Sequence, residues 1–161
     1  MVDITLVKAD EGEVLHMGPV TIRVIEDGSN TDNRIGAIIL TIEPRTPGPA
    51  IHWHRMHDET FLVTKGRFLF TTDKGTHEAK VGDYVVVPPK AIHTFANPYD
   101  EPAEFYNSFT PAYYVDYLRM LSQEMVKMKE TGTFKDFGEE KQRAIMAQFA
   151  TFPPGDLGHL E

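Results

Sequence analysis

The sequence predicts an all-β sandwich or barrel followed by a helical tail. Between residues 51 and 109, short apolar runs alternate with turn signals at intervals of about 8 to 12 residues, as in antiparallel sandwiches and barrels. After residue 109 the apolar residues recur at helical spacing instead. The chain has 161 residues, a length that suits one domain with a substantial core.

The first part of the chain is predicted to form three strands, at residues 4–7, 20–25 and 35–42. Residues 27–33 are rich in Asp, Gly, Ser and Asn, which favour turns, so they are predicted to form a loop. Further short strands are predicted at 51–53, 60–63, 67–72, 76–80, 84–87, 92–96 and 103–109.

The helical tail is predicted to begin at Thr110 and Pro111, which suit the N-cap and the first helical position. Its helical stripe consists of Tyr114, Tyr117, Leu118, Leu121, Met125 and Met128, and ends at Gly132. A second helix is predicted at 139–149. The tail could cap one barrel mouth, cover the outer sheet or pack against a second subunit. The simplest expectation is an amphipathic helix packed on its own barrel, with the stripe as core.

Composition and charge narrow the possible partners. The net charge is −8 and the pI is near 5.3, which argues against nucleic acid and disfavours an anionic membrane surface. There is no cysteine, so a disulfide framework and a thiolate metal site are both excluded. The first residues show no signal-peptide pattern, and no apolar run approaches membrane-spanning length, so the default expectation is a cytoplasmic protein.

Two stretches carry the candidate chemistry. In the first, His52 and His54 point the same way along a strand and Trp53 points the other way, because side chains alternate between faces. Glu59 follows a short polar turn, at the start of the partner strand. In the second stretch, His93 lies on another short apolar run. Three imidazoles and one carboxylate can therefore converge as ligands of a divalent metal.

These stretches resemble the two motifs of the cupin superfamily. The first is H-x-H, three or four residues, E, six residues, G; here it is formed by His52, His54, Glu59 and Gly66. The second is G, five residues, P-x-G, two residues, H, three residues, N; here it is formed by Gly82, Pro88, His93 and Asn97. The chain departs from the pattern at Lys90, which replaces the glycine of P-x-G, and at Gly48, which is closer than usual to the first His. Both departures concern loop geometry rather than ligand chemistry.

The resemblance implies a single-domain, quercetin-dioxygenase-like cupin. Residues 1–110 would form the double-stranded β-helix, or jelly-roll barrel, and residues 111–161 a C-terminal helical extension of the same domain. His52, His54, Glu59 and His93 would hold one divalent transition metal, with two adjacent positions open; Fe, Mn, Ni, Co and Zn all tolerate these ligands. Such cupins usually form homodimers, so a homodimer is expected.

The two-residue alternation of side chains along a strand predicts part of the pocket lining. Phe61, Val63 and Phe95 share a strand face with Glu59 or His93 and are predicted to line an apolar pocket around the metal. Two further candidates, Phe68 and Tyr106, have a facing that the sequence does not determine. Such a pocket suits a small aromatic or polyketide-like substrate better than a sugar.

His57 falls in the turn between the ligand strands. The simpler interpretation is a solvated loop histidine; the functional one is a residue beside the metal ligands, or a base that faces the substrate. The favoured function is that of a metal-dependent oxygenase, in which Glu59 is a ligand that also takes the substrate proton. The alternatives are a non-redox isomerase, cyclase, dehydratase or decarboxylase at the same site, or a small-molecule-binding protein without catalysis.

Overall fold

The computed structural model describes residues 3–131 and 139–156. The elements in chain order are β1 (Glu13–Met17), β2 (Val20–Glu26), β3 (Gly36–Ile42), β4 (Trp53–His54), β5 (Asp58–Lys65), β6 (Arg67–Thr72), β7 (Gly75–Lys80), β8 (Tyr84–Val87), β9 (His93–Ala96), β10 (Ala103–Thr110), α1 (Tyr114–Thr131), α2 (Glu139–Gln148) and β11 (Thr151–Phe152). Neither helix is long and apolar enough to cross a lipid bilayer.

The strands form antiparallel sheets that face each other. The larger sheet has the order β1-β2-β3-β10-β5-β8, the smaller has the order β7-β6-β9, and β11 pairs with β4. Aromatic rings join the two main sheets: Phe61 on β5 lies 5.1 Å from Phe70 on β6, and Phe68 lies 4.8 Å from Phe105 on β10, measured between ring centroids. This is the two-sheet jelly roll that the sequence predicts, with its core between the sheets.

The tail docks on the barrel at both ends. On α1, Arg119 forms ion pairs with Glu13 on β1, at 2.7 Å, and with Asp27 in the loop after β2, at 2.8 Å. At the other end, β11 pairs with β4, and the Trp53 ring lies 4.9 Å from the Phe152 ring. Trp53 therefore points away from His52 and His54, as predicted, and is covered by β11.

Two predictions about secondary structure are wrong, and two strands, β1 and β11, were not predicted. Residues 4–7 form no strand, since they have no partner strand and Ile4 is 90% exposed; β1 lies later and pairs with β2. The helix α1 begins at Tyr114 rather than Pro111. The Ala112 N–H donates to the Asn33 carbonyl at 3.0 Å, which holds this part of the chain in a turn. The short strand β11 was not predicted, because two residues give no periodic signal.

Both departures from the motif pattern have a structural account. Lys90 adopts the left-handed conformation, with φ of 72°, which is the conformation that a glycine at this position would favour. Its N–H donates to the His54 carbonyl at 2.7 Å, so the turn is tied directly to a predicted ligand residue. At Gly48, a Cβ atom would overlap the Phe95 carbonyl oxygen, so only glycine fits there.

Candidate metal centre

The four predicted ligand residues meet at one buried point. His52 immediately precedes β4 and forms an isolated backbone bridge with His93 at the start of β9; His54 ends β4, and Glu59 lies on β5. The centroids of the three imidazole rings are 4.6 to 5.2 Å apart, and none of the four residues is more than 5% exposed. The Glu59 carboxylate lies 3.2 Å from His93 Nε2 and 3.3 Å from His54 Nε2. His52, His54 and His93 therefore form a group of close donor atoms that could hold a metal ion, and Glu59 lies against two of these imidazoles.

Each imidazole is held by its other ring nitrogen. The Nδ1 atoms of His52 and His93 lie 2.8 Å and 3.0 Å from the carbonyl oxygens of Ala50 and Ala91, and His54 Nδ1 lies 3.0 Å from the Thr151 hydroxyl. A carbonyl oxygen only accepts, so Nδ1 of His52 and of His93 carries the hydrogen. In a neutral imidazole, Nε2 is then unprotonated and carries a lone pair. Histidines that bind metals are commonly oriented in this way, by a hydrogen bond from the other ring nitrogen.

The lone pairs that meet at this point favour binding of a cation. With Nδ1 as the donor, the Nε2 lone pair of a neutral His93 faces a Glu59 oxygen at 3.2 Å, and His54 Nε2 lies nearly as close without making a hydrogen bond. Lone pairs facing each other at this distance repel unless a proton or a metal ion lies between them. The donor set therefore fits a divalent transition metal, with three nitrogens and one carboxylate.

The ionisation of these groups is strongly perturbed. Burial, reinforced by the neighbouring His93 and His54, lowers the pKa of His52 to about 3. Burial alone would raise the pKa of Glu59, but His54 and His93 outweigh it and hold that pKa well below its usual range. Burial lowers the pKa of His93, but the hydrogen bond to Glu59, the negative charge of Glu59 and the hydrogen bond to the Ala91 carbonyl together outweigh burial, so this pKa is raised. At neutral pH, Glu59 is ionised and His52 is neutral, as metal ligation requires.

Asn107 supports the carboxylate. Its Nδ2 atom donates to Glu59 Oε1 at 3.2 Å and to the Thr60 carbonyl at 2.9 Å. The side chain is buried on the inner face of β10 and borders the cavity. The other carboxylate oxygen of Glu59, Oε2, faces the imidazoles of His54 and His93. Asn107 therefore fixes the orientation of the Glu59 carboxylate.

His57 is fully buried rather than solvated, so the simpler expectation for it is wrong. Its ring lies 3.8 Å from the His54 ring and 4.6 Å from the Tyr114 ring, and within the described residues neither ring nitrogen has a hydrogen-bond partner. His54, His57 and Glu59 form a second group of close donor atoms. His57 does not border the cavity, so its place is beside a predicted ligand and not against a substrate.

A cavity of about 420 Å³ opens above the cluster. His52, Glu59 and His93 reach its surface, and most of the remaining wall is apolar. One side comes from the barrel, including Ile38, Leu40, Phe95 and Phe105. The other side comes from the two helices, through Tyr114, Tyr117, Leu118, Leu121, Met125 and Met146. The helical tail therefore caps a barrel mouth, one of the three positions considered for it.

The predicted pocket residues divide into three groups. Phe95 lines the cavity. Phe61, Val63 and Phe68 are almost fully buried and belong to the apolar core, where they do not reach the cavity surface. Tyr106 is on the outer face of β10, because its neighbours Phe105 and Asn107 are the inward-facing residues, so its assignment to the pocket is corrected.

Sequence reasoning missed Asn107, Thr151 and the part that the helices play in the cavity wall. The Tyr114-to-Met128 periodicity indicated a buried helix face but not what that face covers. For Asn107, the alternation along β10 was a usable signal, since it places an amide among inward-facing phenylalanines. Thr151 gave no signal, because the strand that positions it was not predicted.

Comparison with known proteins supports this description of the fold. Residues 38–109 match the family model described as a cupin domain. An uncharacterized protein from Methanocaldococcus jannaschii is 36% identical over 47 residues, which are 29% of this chain and 38% of that protein. The chain thus spans well under half the length of the curated relative that it matches.

Solved structures extend the likeness to about two thirds of the chain. A sugar phosphate isomerase of the cupin superfamily from Silicibacter pomeroyi is 23% identical, with a TM-score of 0.58 over 66% of this chain and 75% of that one. The polyketide cyclase RemF from Streptomyces resistomycificus is 16% identical, with a TM-score of 0.60 over 67% of this chain and 80% of that one. Residues 38–109 therefore match a cupin domain, and the chain shares the jelly-roll fold of these structures, with a buried His and Glu cluster that could hold a metal and a helical segment after the barrel.

Proposed function

We propose that this protein is a metal-dependent cupin enzyme that oxygenates a small, largely apolar substrate of the aromatic or polyketide kind. The observation that carries the proposal is the convergence of three oriented imidazoles and an ionised carboxylate at the inner end of an apolar cavity.

His52, His54, His93 and Glu59 would hold the ion. A divalent ion there would supply Lewis-acid polarisation of substrate oxygen atoms and, if it is redox-active, electrons for O2. Glu59 borders the cavity and is the carboxylate among the described lining residues, so it is the group best placed to accept a substrate proton. Asn107 would hold Glu59 in place during that transfer.

The cavity wall supports the choice of substrate class. No Lys or Arg is found among the lining residues that the structure describes, so a phosphate or sulfate group would have no side-chain counter-charge. Aromatic and aliphatic side chains instead offer flat apolar contacts, while the buried cluster offers the polar end. A flat ring system that carries neighbouring oxygen atoms suits both the polar and the apolar end of this cavity, whereas a sugar phosphate does not suit the apolar wall.

The second candidate is a non-redox reaction, such as isomerisation or cyclisation, at the same site. The small number of polar groups in the cavity wall favours this reaction, because one ion and one carboxylate suffice to enolise a carbonyl substrate and move its proton. The cupin-fold neighbours named as an isomerase and a cyclase are consistent with it, although their likeness extends to the fold alone.

The decisive experiment combines metal analysis with measurements of turnover in the presence and absence of O2. The purified chain, loaded separately with Fe(II), Mn(II), Ni(II), Co(II) and Zn(II), is incubated with hydroxylated aromatic and polyketide-like ring compounds. Product formation that consumes O2 supports the oxygenase. Equal product formation under strict anaerobiosis overturns the oxygenase in favour of the non-redox reaction. A purified protein that binds none of these ions would refute both.

Glu59 gives the sharpest variant. Glu59→Ala should keep the fold and abolish turnover, because it removes one ligand and the proton acceptor together. The matched control is Thr60→Val at the next residue, where the hydroxyl bonds to Ser108 at 2.8 Å, away from the cluster. Full activity in Glu59→Ala would refute the role given to this residue.

A further inference from the structure

We infer that Thr151 is a positioning residue for His54, and that metal binding and docking of the C-terminal segment are therefore coupled. The inference rests on the metal site of the proposed function but not on the reaction. It concerns a residue outside the barrel segment that matches the cupin family model, since that match ends at residue 109.

The strand β11 places Thr151 beside His54. β11 pairs antiparallel with β4 so that Thr151 lies opposite His54 and Phe152 lies opposite Trp53. The Arg55 N–H donates to the Ala150 carbonyl at 2.8 Å, which fixes the next step of the register. Thr151 is 1% exposed, so water does not compete for its hydroxyl.

The hydrogen bonds give the hydroxyl a defined direction. Thr151 Oγ1 donates its single hydrogen to the Phe149 carbonyl at 3.3 Å. Its oxygen is then left to accept from His54 Nδ1, 3.0 Å away. His54 therefore carries its hydrogen on Nδ1 and keeps Nε2 as a lone pair directed toward the cluster. His52 and His93 obtain the same orientation from backbone carbonyls of their own loops, whereas His54 obtains it from the end of the tail.

The same segment closes the cavity. α1 and α2 supply one wall of the cavity, and β11 follows α2 after a two-residue turn. If β11 leaves β4, His54 loses the group that fixes its tautomer. If a metal binds His54 Nε2, the tautomer that bonds to Thr151 is favoured. By linkage, each event strengthens the other to the same extent, so an ion in the barrel holds the helical wall of the cavity closed.

The test measures metal affinity and ligand geometry rather than activity. Co(II) is titrated into the metal-free chain against a competing chelator, and its visible absorption reports the ligand set. Thr151→Val keeps the shape but removes the hydroxyl, and should weaken Co(II) binding by roughly 10- to 100-fold, the usual effect of losing a ligand's supporting hydrogen bond. Thr151→Ser keeps the hydroxyl and should restore binding to within about threefold of the parent. Thr60→Val, which removes a hydroxyl on the outer face of β5, should bind as the parent does.

The inference would be overturned if Thr151→Val bound Co(II) with the affinity of the parent and gave the same Co(II) absorption spectrum. If that variant fails to fold, the parent chain still decides, through amide exchange with and without Co(II). The coupling predicts slower exchange of the Arg55 N–H, which donates to Ala150, and of α2 once the ion is bound. Unchanged exchange in a parent that binds Co(II) would refute the coupling alone, whereas a parent that binds no Co(II) would remove the metal site itself.

Discussion

Asn107→Leu tests whether the carboxylate at the cluster depends on a neighbour that no motif marks. Leucine has the same number and branching of side-chain heavy atoms, so the change removes hydrogen bonds without leaving a large cavity. One lost bond ends on the charged Glu59, at 3.2 Å, and contributes about 1.5 to 3 kcal/mol; the other ends on the Thr60 carbonyl, at 2.9 Å, and contributes about 1 kcal/mol. The free energy of unfolding of the metal-free chain should therefore fall by about 3 kcal/mol.

Metal affinity should also fall, by roughly 10- to 100-fold, because Glu59 loses the group that orients it. Urea denaturation of the metal-free chain measures the first effect, and Co(II) competition measures the second. The matched control is Asn97→Ala at the motif asparagine, whose side chain bonds to the backbone of Glu43, Tyr99 and Glu101. It should lose stability but keep the Co(II) affinity of its folded form. Parent affinity in Asn107→Leu would refute the role given to Asn107.

Three further predictions concern the turn at Lys90, the ion pair between Asp27 and Arg119, and the outer face of the larger sheet. Lys90→Gly should raise the free energy of unfolding by about 1 kcal/mol, because φ of 72° costs a side-chain-bearing residue more than glycine; an unchanged urea midpoint would contradict this. The hydrogen bond from Arg119 lowers the pKa of Asp27 from 3.8 to about 2. The stability from this pair, about 1 kcal/mol, is therefore present above about pH 4 and lost as the pH falls toward 2, and a titration of stability should flatten in Asp27→Asn. We propose that two chains associate through the outer sheet face, where Val86 is 60% and Leu62 36% exposed. Val86→Glu should then yield monomers by light scattering, and a monomeric parent would refute this.

The location of the cluster could be predicted because it depends on local spacing. His52 and His54 are two residues apart on extended chain, so they share a side, and Glu59 follows at the length of one turn. His93 and Asn97 come from a second stretch with the same kind of local signature. The apolar runs between residues 51 and 109 likewise indicate the strands, and most of their predicted bounds lie within two residues of those observed.

The facing of β10 and the position of His57 depend on contacts that are distant along the chain. The sequence alone leaves the facing of Tyr106 open, because pairing with β3 and β5, with a register shift at Glu104 and Phe105, decides which residues point inward. His57 is buried because the tail covers the turn that contains it, with Tyr114 against its ring. Neither contact can be predicted from the local amino-acid composition.

By itself, the sequence determined the donors: which imidazoles and which carboxylate are available, and that they lie on strands able to bring them together. Only the tertiary structure decided what surrounds them, because Asn107, Thr151 and the helical wall approach the cluster from parts of the chain between 48 and 97 residues away from their partners Glu59 and His54. Spacing along a strand repeats every two residues and can be read locally, whereas the meeting of a barrel and its tail depends on the packing of the whole chain.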